Sequence, residues 1–342
     1  MQTPYGREQL RQQPASREDG PRAGDIRARQ PYGGEDYYGM PAVKGSTYGW
    51  LIVVYFFVGG IAAGAQFIAT VVDIFGSWED RLVVRVGRYL AFAGSLLSPA
   101  LLIADLHAPR RWYNMLRIFR TRSPMSIGAW TLTAFGMLSG LTAAAQLVAD
   151  KWHSGTARMA ARTSGVLAAM AAAVVALYTG TLLSATSTPL WMKAHPFLSS
   201  WFASSAAATA EASLSLAAEV GGAPQSTKRR LERFGLVASA AELLFGLIID
   251  RRWRRSGVAT PLQKGPLALL YWVGAVGLGV VAPLGSQLFQ RTRGRRSRRL
   301  TIARAVAKLA GGLMLRAVLI YGGNRSAARP ADYFRISQPG ER

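Results

Sequence analysis

Few residues in this sequence could do chemistry, and they lie at the ends or in the middle of apolar runs. Asp105 closes one run, and His107 follows two residues later. A carboxylate there meets hydrocarbon on one side and water on the other. A neighbouring imidazole titrates near neutrality, so the pair could exchange protons. Glu211 and Glu242 fall inside runs. A charge at mid-membrane costs at least ~2.5 kcal/mol, so each glutamate should be neutral, paired or turned to water. Two readings stay open for them: a proton relay, or a packing role with the carboxyl protonated or matched to an arginine such as Arg316. For Asp73 and Asp105 taken alone, a solvated cap at a span end is the simpler reading.

Polar and aromatic groups gather at one edge of the runs: Tyr48, Trp50, Asp105, His107, Trp112, Asn114, Ser184, Thr186 and Ser187. An aromatic belt alone would account for the tyrosines and tryptophans. The same neighbourhood also meets the needs of a quinone: a flat apolar slot, a donor for each carbonyl and a proton exchanger that reaches water.

Other chemistries find no residues. The histidines His107, His153 and His195 all fall between runs, whereas a membrane haem is held by ligands projecting from facing helices. Cysteine is absent, which removes disulfides, an iron–sulfur cluster of the protein's own and covalent haem attachment. No cluster has metal-ligand spacing, and no nucleophile triad or phosphate-binding glycine loop is present. The formal charge of +23 would suggest nucleic acid in a soluble protein. Here the basic residues lie between apolar runs, as in a membrane protein, and no nucleic-acid motif accompanies them.

The elements that must carry these groups are long and apolar. Eight segments follow one another: Tyr48 to Phe75, Leu82 to Asp105, Ile127 to Ala149, Ser164 to Ser187, Phe197 to Val220, Phe234 to Asp250, Leu267 to Phe289 and Ile302 to Tyr321. Most approach or exceed the ~20 residues that span a bilayer. The sequence therefore reads as an all-α integral membrane protein of eight transmembrane helices over residues 47–322. A polar N-terminal tail (1–46) is expected to be disordered, since it has too few apolar residues to bury a core. A second polar tail covers 323–342. Arg304, Lys308 and Arg316 interrupt the last segment; the first two could reach the near interface on their long stems. An even number of spans puts both termini on one face. Basic residues near the spans balance between the two faces, so the positive-inside rule assigns no orientation.

One loop stands out. Between Asp105 and Trp130 lie Arg110, Arg111, Arg117, Arg120 and Arg122. Trp112, Met115, Leu116 and Phe119 recur among them at i, i+3, i+4 and i+7, which predicts an amphipathic helix in the headgroup region. Its arginines could meet lipid phosphates or a protein partner.

Three stretches resemble the NrfD/polysulfide-reductase membrane-subunit family. GWLIVVYFFVGGIAAGAQ is similar to its first helix. DLHAPRRWYNMLRIFRTRSPMSIGAW (Asp105 to Trp130) is similar to its Arg-rich loop, which ends Ser-Pro-Met-Ser-x-Gly-x-Trp. YTGTLLSATSTPLW (Tyr178 to Trp191) is similar to the end of its fourth helix. The resemblance implies an eight-helix, haem-free and metal-free subunit of the bacterial cytoplasmic (inner) membrane. It implies electron exchange between menaquinone or ubiquinone and an iron–sulfur ferredoxin-like subunit, which connects to a molybdopterin catalytic subunit outside the cytoplasm. It puts the quinone pocket in the first helices on the face of the termini. By motif position it carries over Asp105, Arg110, Trp112 and Asn114. The arginine loop would then be a docking surface for the iron–sulfur subunit. A rival reading is a proton-coupled transporter with Glu211 and Glu242 as coupling sites, and a third is a structural anchor without quinone. Inverted repeats would favour the transporter, and the sequence shows none.

Overall fold

The computed structural model describes residues 43–106, 108–293 and 297–337. Every regular element among them is helical. In order these are α1 (Trp50–Phe75), α2 (Arg81–Ala104), α3 (Pro124–Trp152), α4 (Gly155–Ser184), a short α5 (Pro189–Ala194), α6 (Phe197–Val220) and α7 (Gln225–Arg255). Then come α8 (Pro266–Leu269), a π-helical stretch (Leu270–Val281), α9 (Ala282–Arg293), α10 (Arg298–Ala327) and α11 (Pro330–Ser337). Turns of 3₁₀ helix lie at Trp78–Asp80, Pro109–Leu116 and Thr260–Leu262.

Among the described residues, six helical runs are long and apolar enough to cross a membrane: α1, Trp78–Ala104, α3, α4, Pro266–Thr292 and α10. Six of the eight expected segments fall on these runs; the other two fall on α6 and α7, which are as long but not apolar enough to be counted with them, so six spans rather than eight are found among the described residues. The packing gives the reason. More than half of α6 is buried by other helices, and a helix enclosed by protein needs no lipid-compatible surface. In α7 the apolar stretch is flanked by charged turns at both ends, Lys228 to Arg233 and Asp250 to Arg255.

Helix α1 is central. It packs on α2, α4, α6 and α10, while α3 closes the first group against α2 and α4. Helices α6 and α7 pair, and α10 lies against α6 and the π-helical stretch. Between the groups, α5 is wedged by its tryptophan. Trp191 is fully buried, and its Nε1 donates to the Leu319 carbonyl at 2.7 Å. Trp253 Nε1 donates to the Leu190 carbonyl at 2.8 Å.

The start of α1 and the end of α10 meet. Asn324 Nδ2 donates to the Tyr48 carbonyl at 3.2 Å, and Ser46 Oγ donates to Asn324. The polar stretch expected as a tail from residue 323 thus begins inside α10, which runs on to Ala327 because Asn324 and Ser326 find partners there. The N-terminal tail falls mostly outside the described residues.

Candidate functional site

Four helices enclose a small cavity at the end of the bundle where α1 begins. Helix α1 supplies Ile52, Tyr55 and Phe56, on one face at i, i+3 and i+4, and Tyr48 comes from the extended residues before it. Leu102 comes from α2, Met125, Gly128 and Ala129 from α3, and Tyr178 and Leu182 from α4. The free volume is about 40 Å³. Phe56 meets Phe202 edge-on with centroids 5.8 Å apart, which fixes the inner wall. Gly128 is required here: a Cβ at that position would lie 1.9 Å from Tyr178 Cζ. Burial, and then the nearby charge of Asp105, hold the Tyr48 phenol above its ordinary pKa, so Tyr48 keeps its proton at physiological pH.

The arginine loop lies beside this end. Its Ser-Pro-Met-Ser motif is a helix start. Ser123 Oγ accepts from the Ser126 backbone N–H at 3.4 Å, and Pro124 takes the first helical position. Ser126 Oγ then ties the loop down, accepting from the Arg120 N–H at 3.0 Å and donating to the Ile118 carbonyl at 3.3 Å. Phe119 packs edge-on against Trp130 with centroids 6.1 Å apart. The expected amphipathic α-helix is instead a 3₁₀ turn, Pro109–Leu116, broken by non-helical backbone at Arg111. None of its residues is buried, so no packed face holds the longer helix that the apolar spacing allows. Arg110, Arg111, Arg117, Arg120 and Arg122 are all exposed.

The sequence-derived candidates divide. Tyr48 lines the cavity and Asp105 stands close to it. Trp50, Trp112 and Asn114 are exposed. Ser184 Oγ donates to the Thr181 carbonyl at 3.1 Å and Thr186 Oγ1 to the Leu183 carbonyl at 2.8 Å, so both finish α4 and neither lines the cavity. His107 lies outside the described residues. Tyr55 and Tyr178 were missed. Tyr55 carried a signal, being three residues from Ile52 in the first apolar run; Tyr178 opens the YTGTLLS stretch.

Glu211 and Glu242 sit in a second polar cluster between α6, α7 and α10. Lys308 Nζ donates to Glu211 Oε2 at 2.8 Å, and Ser215 Oγ to Glu211 Oε1 at 2.7 Å. Arg316 donates to Ser205 Oγ and to the Gly312 carbonyl, and Glu242 lies close to both Ser205 and Arg316. Arg304 bridges to Glu232 at 3.0 Å. Arg304 and Lys308 therefore stay buried and paired; the expected reach to the interface is overridden by acids on neighbouring helices. Asp73 is likewise more than a solvated cap. Its Oδ2 accepts from Arg88 Nη2 at 3.0 Å, and Arg88 is buried.

No group of three or more His, Cys, Asp or Glu side chains among the described residues could hold a metal ion. Similarity to known proteins extends over nearly the whole sequence. The C subunit of polysulfide reductase from Wolinella succinogenes is 26% identical over 308 residues, spanning 80% of this protein and 93% of that one. The NrfD homolog of Haemophilus influenzae is 24% identical over 309 residues, spanning 82% of this protein and 95% of that one. The sequence pattern of the family described as "Polysulphide reductase, NrfD" matches residues 41–327. This protein, with its tyrosine-lined cavity and arginine loop, belongs to the NrfD polysulphide reductase family.

Proposed function

We propose that the protein is the quinone-reactive membrane subunit of a respiratory oxidoreductase. It passes electrons between quinone and an iron–sulfur ferredoxin-like subunit joined to a molybdopterin catalytic subunit. The observation that carries this reading is the convergence of Tyr48, Tyr55 and Tyr178 on one apolar cavity next to the arginine loop. A bound quinone supplies two-electron, two-proton redox chemistry. The residues present fit such a ring: phenol donors, walls of Ile52, Phe56 and Leu182, and a Gly128 face without a side chain. The cavity of about 40 Å³ must widen to admit it. Met125, exposed at the rim and unbranched, is the side chain suited to move.

In this reading the protonated Tyr48 phenol is a hydrogen-bond donor. Asp105 exchanges protons with water at this end of the bundle, and His107, outside the described residues, is the second proton exchanger of this reading. Arg110, Arg111, Arg117, Arg120 and Arg122 meet an acidic surface on the iron–sulfur subunit. Helices α6 and α7 complete eight spans, the termini lie outside the cytoplasm, and the membrane is the bacterial inner membrane. The buried pairing of Glu211 with Lys308 favours a packing role for that glutamate over a coupling site.

The test is quinone-linked turnover of the assembled complex with Tyr55→Phe and Tyr178→Phe. Each removes one hydroxyl and keeps the ring. Loss of one hydrogen bond of ~1 kcal/mol should lower turnover about fivefold. Native turnover in both variants would sink the assignment of the cavity.

A further inference from the structure

A different cleft opens at the opposite end of α1. It has a volume of about 210 Å³ and lies between the end of α1, the start of α2 and the start of α7. Its walls are apolar: Val71, Val72 and Phe75 from α1, Val83 from α2, and Leu231 and Phe234 from α7. Phe75 is 82% exposed, so the outer side of the cleft faces the surroundings of the bundle. Beside it Trp78, also exposed, lies under the Arg81 guanidinium at 2.9 Å from the ring centroid. An aromatic ring and an arginine paired in this way mark the level of the headgroups.

The far end of the cleft is polar, and its charge is lopsided. Asp80 accepts from Thr227 Oγ1 at 2.6 Å and from Arg230 Nη1, which also donates to Ser77 Oγ at 2.9 Å. Both of these Arg230 bonds use one nitrogen. The edge formed by Nε and Nη2 is left for a second anion, and a planar guanidinium presents that edge to phosphate in bidentate fashion. The Arg230 side chain is half exposed, so the edge is accessible. Arg229 and Arg233 are exposed on the same helix within one turn. Of the nearby acids, Asp80 is held by Arg230, Glu79 by Ser226 and Glu232 by Arg304.

We propose that this cleft binds an anionic glycerophospholipid, with an acyl chain between α1 and α7 and the phosphate on Arg230. A neutral quinone head would leave the arginine edge unused. The site depends only on the protein standing in a membrane and not on the quinone assignment. Bound there, the lipid bridges the α1–α2 hairpin to α7, adding to the polar contacts around Asp80 and to the apolar cluster that holds Ile68, Val83 and Leu231.

The experiment uses the full-length protein in detergent, delipidated and then supplied with phosphatidylglycerol or phosphatidylcholine of matched acyl length. Binding is read by native mass spectrometry and by melting temperature. Phosphatidylglycerol should stay bound under activation that strips phosphatidylcholine and should raise the melting temperature. Arg230→Lys keeps a cation for Asp80 but loses the fork, so the preference for phosphatidylglycerol should fall several-fold. Val71→Trp fills the cleft from an exposed position and should abolish retention of phosphatidylglycerol. Equal retention of both lipids by the native protein overturns the proposal, as does unchanged retention in Val71→Trp. An equal rise in melting temperature with inorganic phosphate alone would mean an anion site without an acyl tail, and displacement of phosphatidylglycerol by a short-tailed quinone would mean a quinone cleft; either result overturns it.

Discussion

The ring of Tyr178 occupies the space that a side chain on Gly128 would need. A Cβ there would lie 1.9 Å from Tyr178 Cζ and 2.4 Å from Cε1. Gly128→Ala therefore drives the phenol out of the cavity. The overpacking should cost about 1–3 kcal/mol, and quinone turnover should drop with the complex still assembled. Adding Tyr178→Leu should restore stability but not turnover. Thermal melts and quinone kinetics on the two variants check this, and native turnover in Gly128→Ala would contradict it.

Asp105 affects Tyr48 less than burial does, since burial is the larger cause of the raised phenol pKa. Removing the carboxylate lowers that pKa toward its ordinary value without bringing it near neutrality. The Tyr48 proton thus survives in Asp105→Asn, and any loss of turnover reports proton exchange at Asp105 itself. We expect Asp105→Asn to slow quinone turnover across the neutral pH range with subunits retained. A native pH–rate profile would remove Asp105 from the mechanism.

Lys308 and Glu211 form a buried pair 97 residues apart in sequence. Removing one partner strands the other charge, so Glu211→Ala should destabilise by about 3–5 kcal/mol. Glu211→Ala with Lys308→Met removes both charges and should recover most of that loss. Glu242→Gln keeps a polar side chain in place but removes the acid facing the buried Arg316, so it should melt below the native protein; slowed turnover with the complex still assembled would mark a proton relay. Melting curves for the set, with turnover for Glu242→Gln, separate packing from chemistry.

The arginine loop predicts a salt effect. Replacing Arg117 and Arg120 with Ala removes two exposed charges whose side chains make no hydrogen bond or ion pair among the described residues. The variant should fold normally. It should release the iron–sulfur subunit at lower salt than the native complex does, because screening and charge removal act on the same attraction. Co-purification across a salt series is the check, and equal retention at every salt would show that the subunit docks elsewhere.

Much of this was legible in the sequence itself. The apolar run lengths gave the long helices, because a backbone in hydrocarbon must bond within its own segment. Ser123-Pro124 announced the start of α3, since capping is a local matter of a hydroxyl and a fixed φ. The Asp105 to Trp130 stretch resembled one family closely enough to name it, and the match over residues 41–327 agrees. Spacing could suggest an amphipathic helix for Pro109–Leu116. It could not show that no neighbour buries the apolar face, and without that burial the segment stops at a 3₁₀ turn.

What only the tertiary structure decided is which faces meet. Periodicity shows that Ile52, Tyr55 and Phe56 share a side of α1; it does not say that Tyr48 folds in beside them, or that Tyr178 arrives there from α4, on a bare patch of α3 made by Gly128. Composition shows Arg304, Lys308 and Arg316 inside the apolar stretch of α10; it does not say that Glu232, Glu211 and Ser205 wait for them on α6 and α7. Helical spacing sets the direction in which a side chain leaves its own helix. The partner it finds depends on the order and rotation of helices around it, and those follow from packing across the whole bundle.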